Sequence, residues 1–172
     1  GIHLDGFADT MDAKSSYGDR EKKLEILKDP HTGAFAIISL CCYFLLCVGI
    51  FSEMQTERLF AAALVFVFSR SLSGISVVTF QAAKNSGLLR TFQDGAQKRN
   101  VRMVLILWLL AAGVGLCLTA GVCGVVSAGV GLVVFFYYYQ FSRKQFGGIT
   151  GDLAGYFQQL CELFMLAVLA LF

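Results

Sequence analysis

Residues 34–52 read AFAIISLCCYFLLCVGIFS, a run without a single charged side chain. A helix rises about 1.5 Å per residue, so a run of this length crosses a hydrocarbon core of about 30 Å. The surrounding chain has the same character: of its 172 residues 56% are hydrophobic and only 15% are charged. A soluble domain carries about 25% charged residues. The sequence therefore predicts an integral membrane protein.

Further apolar runs occupy residues 59–83, 103–121, 122–141 and 156–172, and the middle two are separated only by a tight glycine-rich turn near residues 121–124. Together with residues 34–52 they predict an all-α, polytopic transmembrane domain of about five helices over residues 34–172. Polar loops at residues 84–102 and 142–155 connect the spans. The chain starts within a polar motif and without a Met, which favours a fragment whose upstream helices are missing.

The basic residues are distributed unevenly among the loops. Twelve of the fourteen precede the first span or lie in the two loops at residues 84–102 and 142–155, which an even number of crossings places on the same side. Loops rich in Lys and Arg face the cytoplasm. The sequence thus predicts that the N-terminal segment and both loops share the cytoplasmic face of the membrane, where they are able to form one site.

The N-terminal segment, residues 1–33, holds seven of the twelve acidic residues. Asp5, Asp9 and Asp12 are spaced i, i+4 and i+7, so in a helix they share one face. Like charges at this spacing repel one another, and a divalent cation would relieve that repulsion. Mg²⁺, which binds carboxylates and shares itself with substrate phosphates, is the expected ion. A solvated acidic face without a metal remains the alternative.

Two further features suggest a charged substrate. Residues 147–152, GGITGD, bring closely spaced glycines, which let backbone N–H groups approach an anion, next to a possible metal ligand, Asp152. A flexible turn explains the same pattern. Arg70 lies inside a predicted span, where a charge is costly and faces a polar cavity or a partner, unless it snorkels toward the cytoplasmic end.

Three stretches resemble one family, the cobalamin synthases, which are the adenosylcobinamide-GDP ribazoletransferases of vitamin B12 assembly. Residues 1–12, GIHLDGFADTMD, resemble the family's GLHLDGLADTxDG, and residues 19–29, DREKKLEILKD, resemble its RxxxLEIMKDSRIGxxG. Residues 146–152, FGGITGD, resemble its GGxTGD, and residues 87–92 more loosely resemble a central segment. This sequence starts at the first of these motifs, so we expect the hydrophobic segment that usually precedes them in the family to lie upstream of it.

The resemblance implies a Mg²⁺-dependent transferase at the cytoplasmic face of a bacterial or archaeal inner membrane. Adenosylcobinamide-GDP and α-ribazole, or its 5′-phosphate, would be the substrates, with GMP released; a nucleic-acid partner is not expected, and homo-oligomers are possible. The implied catalytic carboxylates are Asp5, Asp9, Asp12 and Asp29, and the implied metal ligands are Asp5, Asp9, Asp12 and Asp152. The implied substrate contacts are Arg20, Lys28, Arg70, Gly148 and Gly151.

Two other functions are less consistent with the sequence. CDP-alcohol phosphotransferases carry DGxxAR followed by further spaced carboxylates, but residues 5–9, DGFAD, lack the Arg and the continuation. A transporter would place carboxylates inside its spans, where only Glu162 qualifies. Both alternatives therefore fit the sequence less well than the transferase does.

Overall fold

The computed structural model describes residues 1–83 and 97–172, together with Leu89, Thr91 and Gly95. In this part of the chain six α-helices follow one another, with one short 3₁₀ turn at Thr56–Arg58 and no strands. The helices are α1 (Ile2–Ser15), α2 (Arg20–Ile26), α3 (Ala34–Glu53), α4 (Leu59–Thr79), α5 (Lys98–Phe146) and α6 (Gly151–Leu171). The predicted all-α class is confirmed, whereas most of the predicted loop 84–102 and the motif at 87–92 lie outside the described residues.

Four of these helical segments are long and apolar enough to cross a membrane: Ala34–Glu53, Thr56–Thr79, Lys98–Phe146 and Gly151–Leu171. Large apolar side chains on α3 point away from the protein, for example Leu45 at 72% exposure and Val48 at 68%. In water such a surface would be an aggregation hazard, but against lipid it is the expected exterior.

The longest helix, α5, contains 49 residues but reverses direction at Gly121, whose backbone angles are φ 55° and ψ −130°. A straight helix of that length would extend about 70 Å, more than twice the hydrocarbon core. A Cβ added to Gly124 would overlap the carbonyl oxygen of Leu116, and the Phe68 ring lies against both Gly113 and Gly131. These contacts require a helical hairpin. The two predicted spans and their tight glycine turn are therefore present, giving five apolar segments.

The core lies where α4, the hairpin of α5 and α6 meet. Phe68, Leu72, Val134, Tyr138 and Phe157 are all buried there. Small residues allow the close approach: Gly74 lies against Leu105, and Gly131 lies against Met165. Helices in lipid gain stability mainly from such tight packing, because lipid tails are as apolar as the side chains themselves.

Helix α1 has only 14 residues and is attached to the outside of this bundle. It packs against α3 and the first half of α6, burying Phe7, Ala8 and Ala13. Its contact with α6 depends on two glycines: a Cβ on Gly6 would come within 2.7 Å of the Asp152 Cα, and one on Gly155 within 2.9 Å of the His3 carbonyl oxygen. The two backbones therefore run antiparallel in direct contact, which brings the N-terminal motif to the start of α6.

Helix α2 joins the N-terminal segment to the end of α5. Asp19 caps it by accepting a hydrogen bond from the Lys22 backbone N–H at 2.9 Å, as expected for an N-cap aspartate. The Lys23 ammonium donates to the Gln145 amide oxygen at 2.6 Å. This contact holds α2 beside the loop that links α5 to α6.

Candidate active site: an acidic face between two helices

The acidic face consists of Asp5, Asp9 and Asp12 on α1 and of Asp152 on α6. The predicted helix over the first three is present, and the opposite side of α1 is buried against the bundle. Asp152 joins them because Gly6 lets the α6 backbone come so close. Thr150 fixes the start of α6, since its hydroxyl oxygen accepts from the Leu153 N–H at 3.2 Å.

The charges on this face act on one another. The pKa of Asp9 is raised from 3.8 to about 6, chiefly by burial and then by the negative charges of Asp5, Asp152 and Asp12. A carboxyl group surrounded by other carboxylates resists ionisation unless a positive charge is supplied. The spacing of Asp5, Asp9 and Asp12 along the sequence predicts this repulsion, and the structure adds Asp152 to it.

The donor set suits a hard divalent cation because every candidate ligand is a carboxylate oxygen. Among the described residues, no three His, Cys, Asp or Glu side chains lie close enough together to hold a metal ion as they stand. Mg²⁺ commonly uses only one or two carboxylates and completes its shell with water and substrate phosphate. The chemistry of the face therefore fits Mg²⁺, although the described residues do not form a complete set of protein ligands around one.

Asp12 has a second role that the sequence did not reveal. Its carboxylate accepts hydrogen bonds from the backbone N–H groups of Gly33, at 2.6 Å, and Ala36, at 2.8 Å. These groups lie at the start of α3, where N–H donors lack helical partners, and Gly33 at the N-cap position has no side chain to serve them. The sequence signal for this role is the glycine before a long apolar helix, because a helix without a capping side chain needs an acceptor from elsewhere. The metal-ligand role of Asp12 stays a prediction.

Asp29 and Lys28 lie after α2 and are exposed. The Asp29 carboxylate accepts from the His31 backbone N–H at 3.0 Å and lies 2.7 Å from the His31 Nδ1. These bonds, the backbone one first, lower the pKa of Asp29. The structure thus gives Asp29 a local partner in its own turn, and the predicted catalytic and substrate-binding roles of Asp29 and Lys28 remain untested predictions.

The glycine-rich loop packs more tightly than a free turn would. Gly147 has a left-handed φ of 75°, and the Arg20 guanidinium lies where a side chain on it would be. The N–H groups of Gly147, Gly148 and Ile149 donate to the carbonyls of Arg143, Ser142 and Gln81, at 3.1, 3.2 and 2.9 Å. Gly148 therefore provides close backbone packing against Gln81, while a Cβ on Gly151 would meet only open space. Of the predicted substrate contacts, Arg20 lies against this loop at Gly147, and Gly151 directly precedes Asp152 in the chain.

Arg70 is paired with Glu162, the one acidic residue that the sequence analysis located inside a predicted span. Its Nη1 donates to the Glu162 carboxylate at 2.7 Å, and the same carboxylate oxygen accepts from the Ser69 hydroxyl at 2.8 Å and the Gln158 amide at 3.2 Å. Glu162 follows Asp152 by ten residues on α6, about 15 Å along the helix. The structure does not bring Arg70 to the acidic face, and its predicted contact with phosphate stays a prediction.

Known proteins match this chain over a range that includes these motifs. A profile of the cobalamin-5-phosphate synthase family matches residues 1–170. This chain belongs to that family. It is 48% identical over 163 residues to the adenosylcobinamide-GDP ribazoletransferase of Lachnoclostridium phytofermentans, covering 95% of this chain and 62% of the relative.

Less similar family members also match over nearly the whole of this chain. The protein of the same name from Clostridium perfringens strain SM101 is 34% identical over 165 residues, covering 94% of this chain and 64% of the relative. The one from Pseudomonas syringae pv. syringae is 35% identical over 174 residues, covering 99% and 70%. The chain thus spans slightly less than two thirds of the length of the first two relatives. No solved structure matches this member of the family.

Proposed function

We propose that this cobalamin synthase family member transfers a phosphoryl-linked cobinamide from adenosylcobinamide-GDP to α-ribazole, or to its 5′-phosphate, and releases GMP. A ribose hydroxyl forms a new bond to the phosphorus attached to cobinamide, the bond from that phosphorus to the GMP oxygen breaks, and GMP keeps the electron pair. The hydroxyl proton passes to a carboxylate of the acidic face. The observation that carries this proposal is the carboxylate-crowded face formed by α1 and α6 within the family's own motifs.

The expected cofactor is Mg²⁺, which supplies charge neutralisation for phosphoryl transfer. Asp5, Asp9 and Asp152 would hold it, because burial and then the negative charges of Asp5 and Asp152 raise the pKa of Asp9, and a cation would offset both effects. Arg20 lies at the adjoining loop, where its guanidinium suits a substrate phosphate. The acidic face would thereby supply the negative ligands for a cation, and Arg20 beside it would supply the positive contact for the substrate.

The test is a reaction of the purified full-length protein with adenosylcobinamide-GDP, α-ribazole and Mg²⁺, followed by measurement of GMP. We expect GMP release that stops when EDTA removes the metal and returns when Mg²⁺ is restored. Glu57→Gln is a matched control, because it removes an exposed carboxylate far from the acidic face along the chain. No GMP release by the unaltered protein, or release that ignores EDTA, would count against the proposal.

The site is proposed to face the cytoplasm of a bacterial cell, from the clustering of basic residues on one set of loops. Single cysteines at Ser16, Gln97 and Gln55, in a background without the six native cysteines, test this orientation. All three positions are at least partly exposed. Ser16 and Gln97 should react with a membrane-impermeant thiol reagent only from the cytoplasm, and Gln55 only from outside. Labelling of Gln97 and Gln55 from the same side would overturn the arrangement.

A further inference from the structure

A polar cavity lies beside the glycine-rich loop, between the C-terminal ends of α4 and α5. It encloses about 560 Å³, within the range of small-molecule sites. Its described lining includes no carboxylate. The cavity is thus separate from the acidic face, although the loop of residues 147–150 connects the two.

The walls of this cavity are fixed by backbone pairing. The Ile149 N–H donates to the Gln81 carbonyl at 2.9 Å, and the Ala83 N–H donates to the Ile149 carbonyl at 2.9 Å. A side chain on Gly148 would overlap this pairing, since its Cβ would lie 2.7 Å from the Ala83 nitrogen. The loop and the end of α4 therefore form one frame, and such preorganisation favours ligand binding.

The side chains around the cavity combine aromatic faces with polar groups. Phe80 and Tyr139 contribute rings whose centroids lie 4.8 Å apart, and the Arg143 Nη1 donates to the Tyr139 hydroxyl at 3.3 Å. The Ser142 hydroxyl is buried and has no hydrogen-bond partner among the described residues. Buried hydroxyls are rarely left unpaired in native structures, because the loss of hydration is costly. A polar group of a ligand would satisfy this one.

We propose that the cavity binds the guanine base of the substrate's GDP moiety and, after transfer, of the departing GMP; this inference rests on the function proposed above. Aromatic faces stack on bases, and the Gln81 amide and Ser142 hydroxyl offer both donors and acceptors to the polar edge of guanine. The benzimidazole base of α-ribazole has no comparable edge. Hydrogen-bonding groups left without partners in such a pocket discriminate strongly against it.

The position of the cavity is consistent with chemistry at the acidic face. Ile149 lines the cavity, and Asp152 follows it by three residues, so no more than about 11 Å of chain separates them. A nucleotide whose base lies between Tyr139 and Gln81 can direct its phosphates toward Asp152. Arg143 adds positive charge at the cavity, which suits the anionic nucleotide.

The experiment measures GMP and AMP binding to the purified full-length protein by calorimetry, for the unaltered protein and four variants. Tyr139→Leu should weaken GMP binding roughly tenfold, the order expected for one lost base–aromatic stack, whereas Tyr139→Phe should retain it. Gln81→Ala, at an exposed position, should reduce the preference for GMP over AMP by about tenfold. Tyr137→Leu, on the same helix but outside the cavity lining, is the matched control and should bind GMP normally.

The opposite pattern would overturn the proposal: equal GMP affinity in Gln81→Ala, Tyr139→Leu and the unaltered protein, or a rise in KM for α-ribazole while GMP affinity is unchanged. Because GMP binding needs no turnover, the two proposals can fail separately. Absence of GMP release by the unaltered protein defeats the proposed reaction, while the difference in GMP affinity between the Tyr139 and Tyr137 variants decides the assignment of the cavity.

Discussion

The acidic face and the Arg70–Glu162 pair both place charge beside the apolar helices, but they balance it differently. Glu162, with 8% of its side chain exposed, is neutralised by Arg70 and hydrogen-bonded by Ser69 and Gln158. Asp9 has only other carboxylates as charged neighbours affecting its pKa, which is raised. A charge compensated within the protein contributes to the fold, whereas charges left in mutual repulsion indicate a site completed by something that binds.

The most direct test of this difference is Asp9→Asn, which keeps the size of the side chain and removes its charge. We expect GMP release to fall by at least two orders of magnitude, because charge neutralisation carries most of the catalysis in phosphoryl transfer. Melting without Mg²⁺ should be unchanged or slightly higher, since like-charge repulsion is lost. The rise in melting temperature on adding Mg²⁺ should shrink.

These three readouts for Asp9→Asn separate a metal site from a solvated surface. Turnover is assayed as GMP release, and melting is followed by circular dichroism with and without Mg²⁺. Near-normal turnover together with an intact response to Mg²⁺ would place the metal elsewhere.

The next largest effect should come from Arg70→Leu, which leaves the Glu162 carboxylate buried without its cation. We expect a loss of about 2 kcal/mol in the free energy of unfolding, below the roughly 3–5 kcal/mol for a fully buried pair, because 54% of the Arg70 side chain is exposed. The double variant Arg70→Leu/Glu162→Leu should recover most of that loss, since an apolar pair often replaces a buried ion pair without cost.

Unfolding of the Arg70 variants can be measured by denaturant titration in detergent micelles. Arg70→Lys serves as the control that keeps the charge and should lose less stability than Arg70→Leu. If the single and double Leu variants are equally stable, Arg70 does not offset the charge of the Glu162 carboxylate. A selective loss of GMP release in Arg70→Lys, with normal stability, would instead favour the phosphate contact predicted from the sequence.

Asp12 belongs either to the fold, as the cap of α3, or to the metal site, and substitutions distinguish these two roles. Because its carboxylate accepts from the Gly33 and Ala36 N–H groups, Asp12→Ala should cost about 1 kcal/mol of stability, as the loss of a helix cap does. Asp12→Asn keeps one acceptor oxygen and should cost less. Turnover should fall less than in Asp9→Asn. A collapse of turnover in Asp12→Asn at unchanged stability would assign Asp12 to the metal instead.

The smallest expected effect is a pH dependence of stability in the presence of EDTA. The folded-state pKa of Asp9 is raised to about 6, above its ordinary value of 3.8, so the folded protein binds more protons than the unfolded chain between these values. The Asp9 contribution to stability should therefore increase as pH falls from 7 toward 4. Asp9→Asn should lack this contribution. Identical pH profiles of melting temperature for the two proteins would contradict the raised pKa.

Much of the fold was predictable from local sequence. Apolar runs long enough to span a bilayer, glycines at residues 121–124 and carboxylates at helical spacing all express short-range rules, and each corresponds to a described element. The Asp5, Asp9 and Asp12 face needed nothing beyond the helix repeat of α1. The family motifs added the expected chemistry.

Which distant residues meet became visible only in the folded protein. The contact of Gly6 with Asp152, the pairing of Arg70 with Glu162, the capping of α3 by Asp12 and the frame between Gln81 and Ile149 all join segments far apart in the chain. Spacing along one helix fixes which side chains share a face, but not what lies opposite. That depends on close backbone packing between helices, which glycines permit and the sequence alone does not locate.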